Sequence, residues 1–380
     1  MMLRMAALFL VSTLLEATSV TAVEPAATAG SDGLSKRIQE CIDRHPGVAA
    51  IALRHVESGF AFSHRGDEPM PTASLIKLAV MIEAYRQAEE KKLDLQTMIR
   101  LRDEDRVPGS GILTAHFSEG ATFSLRDYLH LMIAFSDNTA TNVVIDAIGL
   151  NSTAETMHSL GWPNTKLHSK VFRRDTTLFP ERSRQFGLGS TTAHEMREIL
   201  QRLHNRELVS PVASEAMLAH LHKCEDRSTF RRDIPRSTTV AHKTGAVTGV
   251  RTDAGLIELP GSHIILCVLT KDNPPPAAGL PDAGESLCAE IARLAVDAFP
   301  ASTDKSDRTV PRLQEGDSGE EVRRVQQRLN KVLNPRPELA VDGEFGPMTR
   351  AAVERFQKQA GLPATGAVDG PTREKLLENR

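Results

Sequence analysis

Residues 71–82 read Pro-Thr-Ala-Ser-Leu-Ile-Lys-Leu-Ala-Val-Met-Ile, an almost unbroken apolar run that opens with residues typical of a helix start. Pro71 and Thr72 predict this start, with Thr72 as the N-cap. A helix that is apolar on every side lies inside a domain. Ser74 and Lys77 are three residues apart, so we expect them on one helix face, where the amine can take the hydroxyl proton.

The predicted surroundings of Ser74 and Lys77 favour nucleophilic chemistry. The first turn of a helix stabilises developing negative charge. A buried lysine near other cations loses its proton readily. The alternative is that Ser74 belongs to a helix cap and that the Lys77 side chain extends to the surface. This alternative stays open because a Ser-x-x-Lys pattern occurs by chance about once in a chain of this length. Other motifs must decide between the two interpretations.

Length and composition restrict the classes of fold and function that are possible. The chain has 380 residues, of which 40% are apolar and 25% charged, enough for two domains with sizeable cores. Its formal net charge is -3 at pH 7. Proteins that bind nucleic acid or anionic membranes usually carry an excess of positive charge, and this chain does not. Neither partner is therefore expected.

The first residues have the pattern of an export signal. Arg4 precedes an apolar run at residues 5–15, and small residues follow up to Ala22. The pattern predicts a signal peptide at residues 1–22, because the apolar run is short for a membrane span; a retained anchor is the alternative. Export predicts a periplasmic or secreted protein, associated with the cell wall and without stable membrane insertion after cleavage.

Four cysteines occur in the chain: Cys41, Cys224, Cys267 and Cys288. An exported protein can form disulfides, and three pairings are possible, but burial as free thiols explains the residues equally well. Cys41 and Cys288 fall on predicted helices near the two ends of the first domain. A disulfide between them requires that these ends pack together with suitable geometry.

Strand signals stand at both ends of residues 23–300, and mostly helical signals lie between them. The predicted strands are residues 47–56, 60–63, 239–244, 251–259 and 262–271, with helices at 34–44 and 285–299. This order predicts an α/β domain whose antiparallel sheet joins N- and C-terminal strands. Helices flank the sheet, and an all-helical subdomain is inserted between its strands.

A different pattern follows the first domain. Residues 301–311 are polar and predict a linker. In residues 312–380 apolar stripes at helical spacing begin at Val322, and Pro347 and Pro371 stand near the first positions of two predicted helices. This part therefore predicts a small all-α module of three helices.

Two further motifs bear on the Ser74 question. Ser136-Asp137-Asn138 lies between predicted helices, and Lys243-Thr244-Gly245 lies on the first returning strand. Each is expected by chance well under once per chain, and the three motifs occur in the order known for class A β-lactamases and penicillin-binding proteins. Residues 34–300 thus resemble the class A β-lactamase superfamily of penicillin-recognising serine hydrolases.

The resemblance implies roles for individual residues. Ser74 would be the acylating nucleophile and Lys77 its base or proton relay. Ser136 would pass a proton toward the leaving nitrogen, and Asn138 would hold the amide of the acyl side chain. The backbone N–H groups of Ser74 and Ala246 would form the oxyanion hole, where losing one donor typically costs about 3 kcal/mol.

The resemblance also implies how the substrate is held. Lys243 and Thr244 would meet the substrate carboxylate with Gly245 beside them, and Arg251 occupies a position that supplies a guanidinium in some members. Fixed cations and hydroxyl donors suit a carboxylate near a strained or scissile amide. No cofactor is implied. The segment from His220 to Cys224 is not expected to bind a metal, because residues two apart do not share a helix face.

One departure from the family pattern bears on turnover. Hydrolytic class A enzymes carry a glutamate, on the loop between the second and third motifs, that activates water to clear the acyl-enzyme. Residues 165–175 have no carboxylate where that glutamate would align. Either Asp175 or Glu181 replaces it, or both are solvated carboxylates paired with neighbouring arginines. Without such a base, deacylation should be slower by about 10²–10⁴-fold.

The C-terminal part, residues 313–377, resembles the three-helix peptidoglycan-binding module. The similarity rests on turn glycines and core residues, as in Asp342-Gly343-x-Phe345-Gly346 and Phe356-Gln357. Three functions then compete. We favour a wall-tethered β-lactamase with a role in antibiotic resistance. A cell-wall D-Ala-D-Ala peptidase, transpeptidase or esterase is the alternative that the missing glutamate favours. The intact motifs argue against a non-catalytic sensor.

Overall fold

The computed structural model describes residues 29–301, 313–362 and 364–378. The predicted signal peptide at residues 1–22 and all of the predicted linker except Ala301 lie outside these residues. Within the described ranges, no helix is both long enough and apolar enough to cross a membrane.

The elements follow the predicted order, with strands at both ends of the first domain. The strands are β1 Val48–His55, β2 Ala61–His64, β3 Met70–Pro71, β4 Met98–Arg100, β5 Thr122–Ser124, β6 Lys166–Leu167, β7 Gly189–Thr191, β8 Thr239–Val247, β9 Val250–Leu259 and β10 Ser262–Lys271. Five of them form one antiparallel sheet in the order β2-β1-β10-β9-β8. The sheet therefore joins N- and C-terminal strands, as predicted.

Helices cover both faces of this sheet and form the C-terminal module. The helices are α1 Ala29–Arg44, α2 Lys77–Glu89, α3 Leu113–His116, α4 Leu125–Ala134, α5 Asn138–Ile148, α6 Leu150–Ser159, α7 Pro180–Phe186, α8 Ala193–His204, α9 Pro211–Leu221, α10 Ala283–Ala298, α11 Glu320–Val332, α12 Pro347–Gln359 and α13 Gly370–Glu378. The terminal helices α1 and α10 pack on one face, and α2 and α8 contribute to the core on the other.

Strand β10 shows why an unbroken apolar run forms a strand here. Ile264 and Leu266 belong to the core beneath α1 and α10, whereas Ile265 and Leu269 belong to the core on the opposite face. Successive side chains of a strand point to opposite faces, so a strand covered on both sides is apolar at nearly every position.

The start of the Ser74 segment differs from the prediction. Thr72 makes no side-chain capping bond, residues 73–76 form a 3₁₀ turn, and α2 begins only at Lys77. Thr72 therefore stands at the N-cap position of the 3₁₀ turn, but it does not cap the turn with its side chain and it is not the N-cap of α2. Ala73 has φ of 45°, a left-handed conformation that an α-helix cannot contain. Ser74 and Lys77 nevertheless lie on the same side, because residues three apart eclipse each other in a 3₁₀ turn.

The cysteines are unpaired although the predicted helices meet. Cys41 on α1 and Cys288 on α10 belong to the same apolar core. All four cysteines of the chain are buried free thiols in the described residues. The disulfide considered between Cys41 and Cys288 is therefore not formed, and both residues fill space as small apolar side chains.

The C-terminal module repeats one buried arrangement around two glutamines. The Nε2 of Gln326 donates to Asp342 Oδ1, Glu344 O and Thr349 Oγ1, and its Oε1 accepts from Gly343 N. The Nε2 of Gln357 donates to Thr365 Oγ1, Ala367 O and Thr372 Oγ1, and its Oε1 accepts from Gly366 N. Each buried amide is fully satisfied and fixes the turn before the next helix.

Candidate active site

Strands on two sides clamp the turn that carries Ser74. The backbone N–H of Thr72 donates to Gly189 O on β7 (3.1 Å), and the Thr252 hydroxyl on β9 donates to Thr72 O (2.9 Å). These bonds hold Ala73 in its strained conformation, as active-site turns often require. Ser74 is half-buried, and its hydroxyl forms no hydrogen bond with any residue that the structure describes. The hydroxyl is therefore free for a reaction partner.

Lys77 is completely buried, with 0% of the residue exposed. Its Nζ donates to Ser136 O (2.6 Å), to Asn138 Oδ1 (2.9 Å) and toward Ser136 Oγ (3.2 Å). Burial, and then the nearby charge of Lys243, hold the pKa of Lys77 well below its usual value, against the opposing effect of Asp137. A lysine in this environment is neutral more readily and can act as a base.

The Ser136 hydroxyl lies between two buried amines. Lys243 Nζ donates to Ser136 Oγ (3.1 Å), and Lys77 Nζ lies 3.2 Å from the same oxygen. Ser136 has φ of 52°, so its backbone is also strained. A hydroxyl can accept from an ammonium and donate to a neutral amine at the same time. The arrangement therefore suits a charged Lys243 and a neutral Lys77 joined by a proton-conducting oxygen.

The rest of the second motif holds the site in place. The Asp137 carboxylate, 1% exposed, caps α5 through Ala140 N and also accepts from the backbone N–H groups of Ile112 and Leu113. It therefore ties the preceding loop to α5. The Asn138 amide donates to Pro108 O and accepts from Lys77, so its orientation is fixed.

The third motif lies on β8, the edge strand of the sheet, next to the Ser74 turn. A Cβ on Gly245 would stand 2.3 Å from Thr72 O and 2.5 Å from Thr252 Oγ1, so only glycine allows this approach. The Thr244 hydroxyl donates to Asp226 Oδ2 (2.7 Å). Ala246 is exposed at the end of the same strand. No sequence motif pointed to Asp226, because it reaches β8 from a loop that has no characteristic pattern.

Arg251 pairs with Ala246 across the β8–β9 ladder, but its side chain forms no hydrogen bond or ion pair with the side chains of the other motif residues that the structure describes. Its guanidinium pairs with Asp282 (3.1 Å) and Glu285 (3.1 Å) and donates to the Val247 and Val250 carbonyls. Neighbouring Thr252 contacts the Ser74 turn, and adjacent residues of a strand face opposite sides. Arg251 therefore faces α10, and its expected contact with a substrate carboxylate does not follow from this position.

The loop after β6 is bonded to α5 at Val171. Asn142, one turn beyond Asn138, donates from Nδ2 to Val171 O (3.0 Å) and accepts from Val171 N (2.8 Å). Val171 is buried but is absent from the apolar cores of the described residues. Phe172 follows with φ of 58° and is 62% exposed. The loop therefore presents no carboxylate where it contacts α5.

The two carboxylates considered as replacements for a loop glutamate lie in solvent. Asp175 is 65% exposed at its side chain and forms an ion pair with Arg173. The Glu181 side chain is 81% exposed and pairs with Arg184. These positions support the interpretation of both as solvated carboxylates and not as replacement bases.

His168 anchors the same loop and makes it sensitive to acid. Its Nδ1 donates to Gly187 O, its Nε2 faces Ser190 Oγ, and the residue is fully buried. Burial, partly opposed by the Gly187 carbonyl, lowers the pKa of His168 to about 4. His168 takes up a proton near pH 6.5 in the unfolded chain but only near pH 4 in the folded protein. Its contribution to the free energy of unfolding is therefore fully present above pH 6.5 and is lost as the pH falls toward 4.

We expect His168→Gln to flatten this acid dependence. The wild-type protein should lose on the order of 2 kcal/mol of unfolding free energy between pH 7 and pH 4.5 through this residue. Urea unfolding at both pH values measures the loss. His158→Gln, at an exposed position on α6, is the matched control and should behave like wild type. Equal losses in the His168 variant and wild type would contradict the assignment.

Known proteins resemble both parts of the chain. Residues 33–299 match the model of the beta-lactamase enzyme family, and residues 318–376 match that of a putative peptidoglycan-binding domain. A beta-lactamase of Streptomyces cellulosae is 27% identical over 285 residues, which cover 70% of this chain and 86% of that protein. A zinc D-Ala-D-Ala carboxypeptidase of Streptomyces albus G is 46% identical over 66 residues, only 17% of this chain and 26% of that protein.

A solved structure supports the fold assignment. The crystal structure of a beta-lactamase from Sphaerobacter thermophilus DSM 20745 matches with a TM-score of 0.61 and 30% sequence identity, covering 70% of this chain and 97% of that chain. The predicted fold, a mixed α/β domain of this type followed by a helical peptidoglycan-binding region, is thereby confirmed.

Proposed function

Because this chain belongs to the beta-lactamase enzyme family, we propose that it is a class A type serine hydrolase that opens β-lactam amides through an acyl-Ser74 intermediate. The observation that carries the proposal is the Ser136 hydroxyl, held 3.2 Å from the Lys77 amine and 3.1 Å from the Lys243 amine. Burying two lysines beside one hydroxyl costs folding free energy, because each buried charge loses its hydration. The arrangement is therefore better explained by proton transfer than by a contribution to stability.

In the proposed acylation, the neutral Lys77 amine takes the proton of the Ser74 hydroxyl as its oxygen bonds to the β-lactam carbonyl carbon. The backbone N–H groups of Ser74 and Ala246 stabilise the oxyanion that forms. As the carbon–nitrogen bond breaks, the proton passes from Lys77 through the Ser136 hydroxyl to the leaving nitrogen. An acyl ester on Ser74 remains.

The substrate carboxylate would lie beside β8. The Lys243 ammonium and the Thr244 hydroxyl are the donors in this region. In the free protein Thr244 donates to Asp226, which also accepts from the backbone and hydroxyl of Ser228. When the Thr244 hydroxyl turns to the substrate, Asp226 keeps both Ser228 donors on its Oδ1, and its Oδ2 gives up the Thr244 hydrogen bond.

The loop beside α5 supports slow deacylation. Val171 and Phe172 provide no base for the water that must attack the acyl ester, so acyl-Ser74 should accumulate. The same loop favours a second candidate, a cell-wall D-Ala-D-Ala peptidase, transpeptidase or esterase. An ester that is poorly hydrolysed remains available to an amine or alcohol acceptor from the wall.

We place the enzyme outside the cytoplasm, bound to peptidoglycan. The signal pattern at residues 1–22 and the module at residues 318–376 support this location. Tethering to the wall raises the effective concentration of the enzyme near wall-borne substrates and near targets that β-lactams attack. A contribution to β-lactam resistance follows if turnover is sufficient.

A time course with a chromogenic cephalosporin, followed by intact mass spectrometry, tests this function. We expect a burst of about one product per enzyme, a slow steady rate and an adduct on Ser74. Ser74→Ala should lose the burst and the adduct yet still sediment with purified peptidoglycan. Deletion of residues 303–380 is the matched control, which should keep the adduct and lose sedimentation. Labelling that persists in Ser74→Ala would refute the nucleophile assignment.

A further inference from the structure

A carboxylate of the protein competes for one of the two donors proposed to hold the substrate carboxylate. These donors, Lys243 and Thr244, stand side by side on β8, and the space beside them is the carboxylate subsite. Asp226 Oδ2 accepts the proton of the Thr244 hydroxyl, with 2.7 Å between the two oxygens. A hydroxyl has a single proton, so Thr244 cannot donate to Asp226 and to a substrate at the same time.

Several hydrogen bonds fix the position of Asp226. Its Oδ1 accepts from the backbone N–H and from the hydroxyl of Ser228, each at 2.8 Å. The next residues of the chain are tied to β9, because the hydroxyl of Thr229 (2.6 Å) and the backbone N–H of Phe230 (3.1 Å) donate to Asp253 Oδ2. The Asp226 carboxylate therefore stays beside the subsite, since turning away would break its bonds to Ser228.

The charge of Asp226 is not neutralised by an ion pair. No lysine, arginine or histidine that the structure describes forms an ion pair with this carboxylate. The Arg251 guanidinium is committed to Asp282 and Glu285. Burial alone would raise the pKa of Asp226, but hydrogen bonds from Ser228 and Thr244 bring it below its usual value. Asp226 is therefore an anion at neutral pH.

The subsite thus combines one positive and one negative charge. A substrate carboxylate that accepts from Thr244 would replace Asp226 on this hydroxyl, and the two carboxylates would then lie on either side of one oxygen atom. Like charges at such a distance repel. An uncharged ester or amide at the same place avoids this repulsion. An amide N–H can also donate to Thr244 Oγ1 while the hydroxyl still donates to Asp226.

We propose that Asp226 is a specificity-determining residue, which disfavours substrates with a free carboxylate at this subsite relative to substrates with an uncharged ester or amide there. This inference rests on the proposed acyl-Ser74 function, because that reaction defines the subsite. Asp226 makes or breaks no bond in the reaction. It acts on the substrate through its charge and through its hold on the Thr244 hydroxyl.

The test compares acylation by benzylpenicillin, which carries a carboxylate, with acylation by its uncharged methyl ester. Asp226→Asn keeps the size of the side chain and an acceptor oxygen but removes the charge. We expect it to raise the second-order rate constant for benzylpenicillin about tenfold, an effect in the range for two like charges near a protein surface. The rate constant for the methyl ester should stay within about twofold of wild type, because the ester carries no charge to be repelled.

Two further variants separate the position of the charge from its mere removal. Glu225→Gln removes the same charge from the preceding, exposed residue and is the matched control. It should leave the ratio of the acid and ester rate constants as in wild type. Asp226→Ser is a second uncharged substitution and should change the ratio in the same direction as Asp226→Asn. Intact mass spectrometry of quenched samples measures the adduct, and melting temperatures verify that each variant is folded.

Two results would overturn the inference. One is an unchanged ratio in a folded Asp226→Asn or Asp226→Ser protein, which includes equal acceleration of acid and ester. The other is a ratio that changes as much in Glu225→Gln as in Asp226→Asn, because the bonded position of Asp226 would then be irrelevant.

A binding measurement separates this inference from the proposed function. In a Ser74→Ala background, which forms no acyl ester, calorimetric titration with benzylpenicillin reports on the subsite alone. The added Asp226→Asn substitution should tighten binding about tenfold, for the same electrostatic reason. If the protein with Ser74 intact forms no adduct with either compound, the proposed function fails. Equal affinities in the two Ser74→Ala proteins, or no binding to either, would overturn the role of Asp226.

Discussion

Lys77→Met should slow acylation of Ser74 by about 10²–10⁴-fold, the usual contribution of a positioned base. Methionine keeps most of the volume of this fully buried side chain but cannot accept a proton. The second-order rate constant for labelling by a fluorescent penicillin measures the effect, and the adduct mass shows whether Ser74 is still the site.

The pH dependence of the wild type gives an independent check on Lys77. Its pKa is well below the usual lysine value because of burial and Lys243. Acylation should therefore be fast at neutral pH and fall as the pH drops through the pKa of Lys77 in the folded protein. Lys92→Ala, on an exposed lysine beyond the end of α2, is the control and should acylate like wild type. A Lys77→Met protein within tenfold of wild type would contradict the role.

Val171→Glu should accelerate deacylation by about 10²-fold or more and convert a burst into steady turnover. Both backbone polar atoms of Val171 are bonded to the Asn142 amide, one turn beyond Asn138, so a new carboxylate would be held at a fixed point beside the second motif. Val171 lies outside the apolar cores of the described residues, so the substitution disrupts none of them.

The measurement compares the steady rate of cephalosporin hydrolysis with the lifetime of the Ser74 adduct. Phe172→Glu is the matched control, because it adds the same charge one residue further on at an exposed position. We expect the adduct to become short-lived in Val171→Glu and to persist in Phe172→Glu. An equally long-lived adduct in both variants would mean that the loop does not limit deacylation.

Regular patterns in the sequence were enough to predict the main elements. The strand at residues 262–271 was predicted with its observed bounds, because continuous burial on two faces leaves an unbroken apolar run. Ser74 and Lys77 share a side of the turn through the backbone bond from Lys77 N to Ser74 O, but the Lys77 amine bonds to Ser136 and Asn138 and not to Ser74, so its action on the Ser74 hydroxyl stays a prediction. The start of their helix could not be predicted, because the left-handed φ of Ala73 is imposed by strands β7 and β9 and leaves no trace in an alanine.

Contacts between segments that are distant in the chain could not be predicted from the sequence. The resemblance drew Arg251 into the substrate site, but the alternation of β9 turns it to Asp282 and Glu285 on the far face. Asp226 carries no motif, and it reaches Thr244 only because its loop passes beside β8. The burial of Lys77 beside Lys243 similarly depends on segments about 170 residues apart in the sequence meeting in the fold.

The pairing of β1 with β10 has a consequence for how the domain is made. Val48 pairs with Lys271 and His55 with Ile264, so the second strand in the sheet needs a neighbour that is synthesised more than 200 residues later. Bringing together two segments this far apart in the chain is slow, and β1 cannot form its hydrogen bonds to β10 until β10 has been synthesised. The emerging polypeptide should therefore stay unfolded until nearly the whole domain is available, and a chain that stops before residue 264 should be degraded or aggregate through the open edge of β1.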